Sequence, residues 1–151
     1  VLRARFAPDS DPDDPTWVCQ TTSIYEASEP LAWWDVRQYL KDVSSGNHGL
    51  WHMARLLLLA AYRSQYMPEF AASLPLSATD GTLKRRFKAP EMQGRLRMKT
   101  GTLEEVSALA GFVTAASGRT FVTVVILNHP TAAQGPGEAI QAALVQWVFG
   151  Q

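Results

Sequence analysis

Three strand candidates follow one another closely in the second half of the chain: the basic run Arg95–Thr100, then Val106–Thr114 and Thr120–Leu127. The last, "TFVTVVIL", is dense in β-branched and aromatic side chains, which suit a pleated, half-buried surface. Ser117-Gly118 supplies the turn chemistry that joins the last two runs as a hairpin. Such close succession reads as antiparallel pairing. The chain must therefore be built around an antiparallel sheet of at least three strands.

Helices flank this sheet in the sequence. "LWHMARLLLLAAYRSQY", Leu50 to Tyr66, holds strong helix formers and no Gly or Pro. It is apolar nearly all round between Leu56 and Ala61, which predicts a largely buried helix, and Pro68 marks its end. Residues 68–87 mix a short helical turn with loop, and Asp80-Gly81 is a turn signal. After a loop from Pro130 to Gly137, Glu138–Gly150 forms a helix with Ile140, Leu144, Trp147 and Val148 on one face. A buried helix, three strands and a closing helix define an α+β fold, an antiparallel sheet packed with helices. Residues 1–16 read as a Pro- and Asp-rich tail, and 17–151 as a single domain. Within 17–50 the only periodic signal is a loose amphipathic helix through Leu31, Trp34, Val36 and Leu40.

A chain of 151 residues can bury one core. Lys+Arg and Asp+Glu balance at 14 each, which argues against a general nucleic-acid or membrane-surface binder. The balance hides a local excess: Lys84, Arg85, Arg86, Lys88, Arg95, Arg97 and Lys99 are half of all basic residues. They suit an anion-attracting surface or a solvated face. The lone Cys19 excludes an internal disulfide and any multi-cysteine metal site. No apolar run is long enough for a transmembrane segment, and there is no signal peptide. The chain opens on Val1, as a processed or partial chain does, so the missing export signal carries no weight.

Lys99-Thr100-Gly101-Thr102 is where chemistry gathers. An ammonium and a hydroxyl at the end of an edge strand can grip a carboxylate, and Gly101 leaves room for a substrate backbone. Free strand N–H groups can pair with an extended peptide, and the Thr102 N–H can form half of an oxyanion hole. The competing reading makes Lys99 one more solvated cation beside Arg95 and Arg97.

The surrounding block decides between them. "LPLSATDGTLKRRF" and "GRLRMKTGTLEEVSALAGFVTAASGRTFVTVVILNHP" closely resemble the C-terminal part of D-alanyl-D-alanine carboxypeptidases of the penicillin-binding protein 4 type, the class C low-molecular-mass penicillin-binding proteins. The features stand in the family order: Leu74-Pro75, Asp80-Gly81-Thr82, Lys99-Thr100-Gly101-Thr102, Leu109-Ala110-Gly111-Phe112 and Asn128-His129-Pro130. The resemblance covers residues 50–150. It implies a fold like the C-terminal half of a transpeptidase or β-lactamase-like domain. It further implies a serine-type peptidase of the periplasm acting on peptidoglycan stem peptides or binding β-lactams. Lys99 and Thr100 would bind the terminal carboxylate, Gly101 would keep the approach clear, and Thr102 would supply the oxyanion N–H. No metal or other cofactor is implied.

The family nucleophile comes from Ser-x-x-Lys, whose lysine helps deprotonate the serine. None of the serines in this sequence has lysine three residues on. The resemblance therefore leaves open whether this chain is an enzyme by itself. Ser45-Gly46-Asn47 has the form of the second family element, Ser-x-Asn, which makes Ser45 and Asn47 candidate catalytic residues. Its spacing to the following helix is much shorter than the family pattern. Two further readings stand beside the carboxypeptidase fragment. One is a non-catalytic relic that binds or oligomerises, through its tryptophan-rich start or with a missing N-terminal part. The other is a weak esterase or β-lactamase using Ser44 or Ser45 with Lys41 or Lys99. His48 and His52 share zinc-like spacing without a third ligand, His129 reads as structural, and Asp80-Gly81 resembles a family turn that shapes the site rather than reacts.

Overall fold

The computed structural model describes residues 18–26 and 49–151. Its centre is a four-stranded antiparallel sheet in the order β1-β4-β3-β2. The strands are β1 (Val18–Glu26), β2 (Leu96–Leu103), β3 (Val106–Thr114) and β4 (Thr120–Asn128). Three helices accompany them: α1 (Gly49–Arg63), α2 (Met67–Ser73) and α3 (Pro136–Phe149). The expected α+β architecture is present, and β3 has the boundaries that its sequence predicts.

Period-two alternation sorts the sheet into two faces. Leu96 and Met98, Leu109 and Val113, and Phe121, Val125 and Leu127 pack with Leu144, Val145, Val148 and Phe149 of α3. On the opposite face Phe112, Val122 and Val124 pack with Leu58 and Leu59 of α1. Tyr62 of α1 and Phe70 of α2 close on the Phe112 ring at centroid distances of 5.8 Å and 6.2 Å. Burying a leucine side chain of this kind stabilises by about 1.5–3 kcal/mol. The sheet thus carries a hydrophobic core on each face.

Several elements depart from the sequence expectation. The strand β1 lies in the stretch left without a strand assignment; it pairs antiparallel with β4, Val18 opposite Asn128 and Glu26 opposite Phe121. The strand β2 runs on to Leu103, past the expected end at Thr100, because Gly101, Thr102 and Leu103 pair with Ala108, Ser107 and Val106. Cross-strand pairing overrides the poor β propensity of Gly101. Pro68 sits in the first turn of α2, where its missing N–H costs nothing. The preceding helix ends at Arg63, where the Ser64 hydroxyl donates to the Ala61 carbonyl at 2.9 Å. The helix α1 is also less buried than its composition predicts: Leu57 is 61% and Met53 54% exposed, because only one side of the helix meets the sheet. The amphipathic helix expected around Leu31–Leu40 and the 1–16 tail lie outside the described residues.

One polar contact inside the α3 layer has a measurable consequence. Gln141, 1% exposed, donates through Nε2 to Ser107 Oγ at 3.0 Å and accepts from Arg86 Nη2 at 3.0 Å. Burial pushes the Arg86 guanidinium below its usual value, against the opposing pull of Glu138. Ser107→Ala strips the acceptor from a buried amide, and leaving such a donor unsatisfied costs about 1–3 kcal/mol. The urea midpoint should fall accordingly, whereas Ser117→Ala, on the exposed hairpin turn, should leave it unmoved.

Candidate functional site

Hydrogen bonds at the start of β2 reveal which way its backbone faces. The Met98 N–H donates to the Pro75 carbonyl at 3.1 Å, and the Ser77 N–H donates to the Leu96 carbonyl at 3.0 Å. Leu96 and Met98 therefore turn their backbone groups outward, away from β3. By strand alternation Thr100 and Thr102 do the same, while Lys99 and Gly101 turn their backbones toward β3. The outer edge is covered at Leu96 and Met98 by residues 75–77. Among the described residues, no backbone continues that cover along Thr100 and Thr102; the Lys99 ammonium alone reaches the Thr100 carbonyl.

The four expected substrate-binding residues thus occupy consecutive positions on an edge strand. Lys99 is exposed, and its ammonium donates to the outward carbonyl of Thr100. Thr100 is half-buried, and Gly101 and Thr102 are exposed. A Cβ added at Gly101 would meet only Ala108 Cβ, at 3.6 Å, so this glycine is not required by packing. An open surface over Gly101 is compatible with close approach of another backbone. Ser45, Asn47, Ser44, Lys41 and His48 lie outside the described residues.

The basic cluster separates into different roles. Arg97 Nη1 donates to the Leu74 carbonyl at 3.2 Å, Arg95 Nη1 to the Ala115 carbonyl at 3.4 Å, and Arg86 reaches Gln141. These guanidiniums bind the fold together, whereas the Lys99 ammonium stays at the open edge. His129 serves the loop before α3: its Nδ1 accepts the Thr131 N–H at 3.1 Å and lies 2.8 Å from Thr131 Oγ1. Among the described residues no group of three or more His, Cys, Asp or Glu is placed to hold a metal ion. No described helix is long and apolar enough to cross a membrane.

Sequence reading expected the Asp80-Gly81 turn to shape the site but missed that residues 75–77 cover the first half of the edge. Asp80 Oδ1 accepts the Leu76 N–H at 2.6 Å, and the Asp80 N–H donates to the Leu76 carbonyl at 3.2 Å. Buried Ser77 Oγ donates to the Met92 carbonyl at 2.8 Å and accepts the Leu96 N–H at 3.2 Å. The Asp80-Gly81 turn signal pointed to the bend. The pairing of this bend with β2 is tertiary and leaves no local mark.

Comparison with known proteins agrees with this geometry at the level of fold. The crystal structure of penicillin binding protein 4 (dacB) from Haemophilus influenzae superposes with a TM-score of 0.58 at 22% identity, covering 64% of this chain and 23% of that one. A structure of penicillin binding protein 4 from the same organism, complexed with a novel β-lactam, gives a TM-score of 0.47 at 26% identity, covering 61% and 22%. The chain spans less than a quarter of the length of these structures. No curated protein matches. The model of the D-Ala-D-Ala carboxypeptidase 3 (S13) family matches residues 52–149, more than half of the chain and all of β2, β3, β4 and α3. By that match the chain belongs to the D-Ala-D-Ala carboxypeptidase 3 (S13) family.

Proposed function

We propose that this chain carries the carboxylate-binding wall of a serine-type D-Ala-D-Ala carboxypeptidase acting on peptidoglycan stem peptides in the periplasm. The observation that carries the reading is the half-covered edge of β2, where the open backbone begins beside the exposed Lys99 ammonium. A peptide ending in D-Ala-D-Ala pairs with that edge as an added strand. Its terminal carboxylate takes charge-assisted hydrogen bonds from Lys99 and Thr100. Its scissile carbonyl then lies near Thr102, whose outward N–H stabilises the oxyanion when a nucleophile attacks. Gly101 keeps the surface between them clear. Residues 17–151 act as one partial domain in this reading, preceded by a tail at 1–16. Ser45 and Asn47 are retained as the Ser-x-Asn pair on their sequence pattern alone.

With no Ser-x-x-Lys in the sequence, the wall binds without acylating. Titration into a fluorescent penicillin should raise its anisotropy reversibly, in competition with an acyl-D-Ala-D-Ala peptide. No label should survive denaturation. Absence of any anisotropy change sinks the carboxylate-wall reading; a label that survives denaturation shows that the chain holds a competent nucleophile. Slow nitrocefin hydrolysis abolished by Ser45→Ala would instead establish the esterase or β-lactamase reading.

Self-assembly is a second reading, favoured by Met53 and Leu57, exposed one helical turn apart on α1. Sedimentation should then show a dimer or larger species that Leu57→Glu dissociates; a well-folded monomer at micromolar concentration contradicts it.

A further inference from the structure

The boundary between covered and open edge lies between Met98 and Thr100, next to the Lys99 ammonium. A peptide added to β2 with its carboxylate at Lys99 has only the edge from Thr100 toward Leu103 to pair with, so its chain runs back in that direction. Any residue beyond the carboxylate would continue along β2 toward Met98 and Leu96. The Met98 N–H and Leu96 carbonyl are already taken by the Pro75 carbonyl and the Ser77 N–H. Displacing them also breaks the bond from the Leu96 N–H to Ser77 Oγ.

We infer that Leu74–Asp80 is a stop that fixes where a bound chain ends, with Asp80 as its positioning residue. The inference rests on the carboxylate-wall reading and deepens it. It gives a physical reason for selecting a free C-terminal residue: chains that continue past Lys99 run into paired backbone. Asp80 is exposed, so its bond to Leu76 shapes the stop without carrying core packing. Gly81 makes room for the bend at φ +50°, since a Cβ there would stand 3.0 Å from Pro75 Cγ. Arg97 holds the near end through the Leu74 carbonyl. The stop is thereby tied at both ends and in its middle.

The test compares an acyl-D-Ala-D-Ala peptide with the same peptide extended by one glycine, titrated into the 15N-labelled 151-residue chain. The wild type should bind the shorter peptide at least about tenfold more tightly, because each 1.4 kcal/mol is tenfold and more than one backbone bond must be broken for the longer one. Asp80→Ala should bring the ratio below about threefold. Asp80→Asn keeps an oxygen acceptor for the Leu76 N–H and should retain the wild-type ratio. Hydrogen exchange supplies a ligand-free readout: the Met98 amide should be protected in the wild type and exchange faster in Asp80→Ala, with β4 amides unchanged. Equal binding of both peptides to the wild type, with the Thr100 and Thr102 amides shifted, overturns the stop and leaves the carboxylate wall standing. An unchanged ratio together with an unchanged Met98 exchange rate in Asp80→Ala overturns the role of Asp80. If neither peptide shifts Thr100 or Thr102, the carboxylate wall itself fails, and the stop falls with it.

Discussion

Gly111→Ala is expected to lower the stability of this fold more than any other single substitution on the sheet. A Cβ at residue 111 would stand 2.1 Å from the Arg97 carbonyl oxygen and 2.7 Å from Met98 Cα. Both are backbone atoms of β2, so no side chain can move aside. The glycine also holds φ at +152°, a conformation that side-chain-bearing residues rarely adopt. Strain of this type costs about 1–3 kcal/mol, and forcing atoms into a packed interior adds about 1–3 kcal/mol. The sum is a large share of the roughly 5–15 kcal/mol by which native domains are stable. Gly118→Ala is the control: φ there is also positive, at +85°, yet nothing lies within 4 Å of the added carbon. Chemical denaturation should place the midpoint of Gly111→Ala far below both wild type and Gly118→Ala. Equal midpoints for the two variants would contradict the close approach of β3 to β2. Because Gly111 pairs with Met98, the same approach fixes where Lys99 stands.

Lys99→Ala should have the largest effect on binding with the least effect on folding. A hydrogen bond to a charged group contributes about 1.5–3 kcal/mol, equivalent to roughly ten- to a hundredfold in affinity. Lys99 is exposed, so solvent screening argues for the lower end, near tenfold, and the loss should shrink as salt rises. Lys99→Arg keeps the charge but not the compact ammonium, and should recover only part of the affinity. The denaturation midpoint should remain within about 0.5 kcal/mol of wild type, as for other exposed positions. Arg97→Ala should behave in the opposite way, losing stability through its bond to the Leu74 carbonyl. A Lys99→Ala variant that binds D-Ala-D-Ala peptides like wild type would remove the ammonium from the site.

What could be read in the sequence follows from what is local. The strand β4 stands out because it is dense in β-branched and aromatic residues, and α3 stands out because its apolar residues recur at helical spacing. The extension of β2 through Gly101–Leu103 does not stand out, since it exists only through pairing with Val106–Ala108. The strand β1 carries β-formers, Val18, Thr21, Thr22, Ile24 and Tyr25, but Cys19, Gln20 and Ser23 interrupt them and leave no clean alternation. Its partner β4 lies about a hundred residues away along the chain, at a separation no local window spans. The basic cluster misleads as a unit: composition marks its charge, while the fold engages Arg95 and Arg97 with carbonyl oxygens and leaves Lys99 at the edge. Gln141 hides inside an apolar helix, visible only as a polar residue on the stripe that Leu144 and Val145 share. The Lys-Thr-Gly-Thr motif is local and marks the candidate site in the sequence. The pairing of Pro75 with Met98 beside it is tertiary and leaves no such mark.

The backbone amides of β2, followed during titration with an acyl-D-Ala-D-Ala peptide, report on the open edge itself. The Thr100 and Thr102 amides should shift together and become protected from exchange as the peptide pairs with them. The Met98 amide, already bonded to Pro75, should change little, and amidating the peptide's C-terminus should weaken the response about tenfold through loss of its charged partner at Lys99. Shifts confined to α1, α3 or the hairpin turns, with Thr100 and Thr102 unmoved, would contradict the claim that the open half of this edge is the binding site.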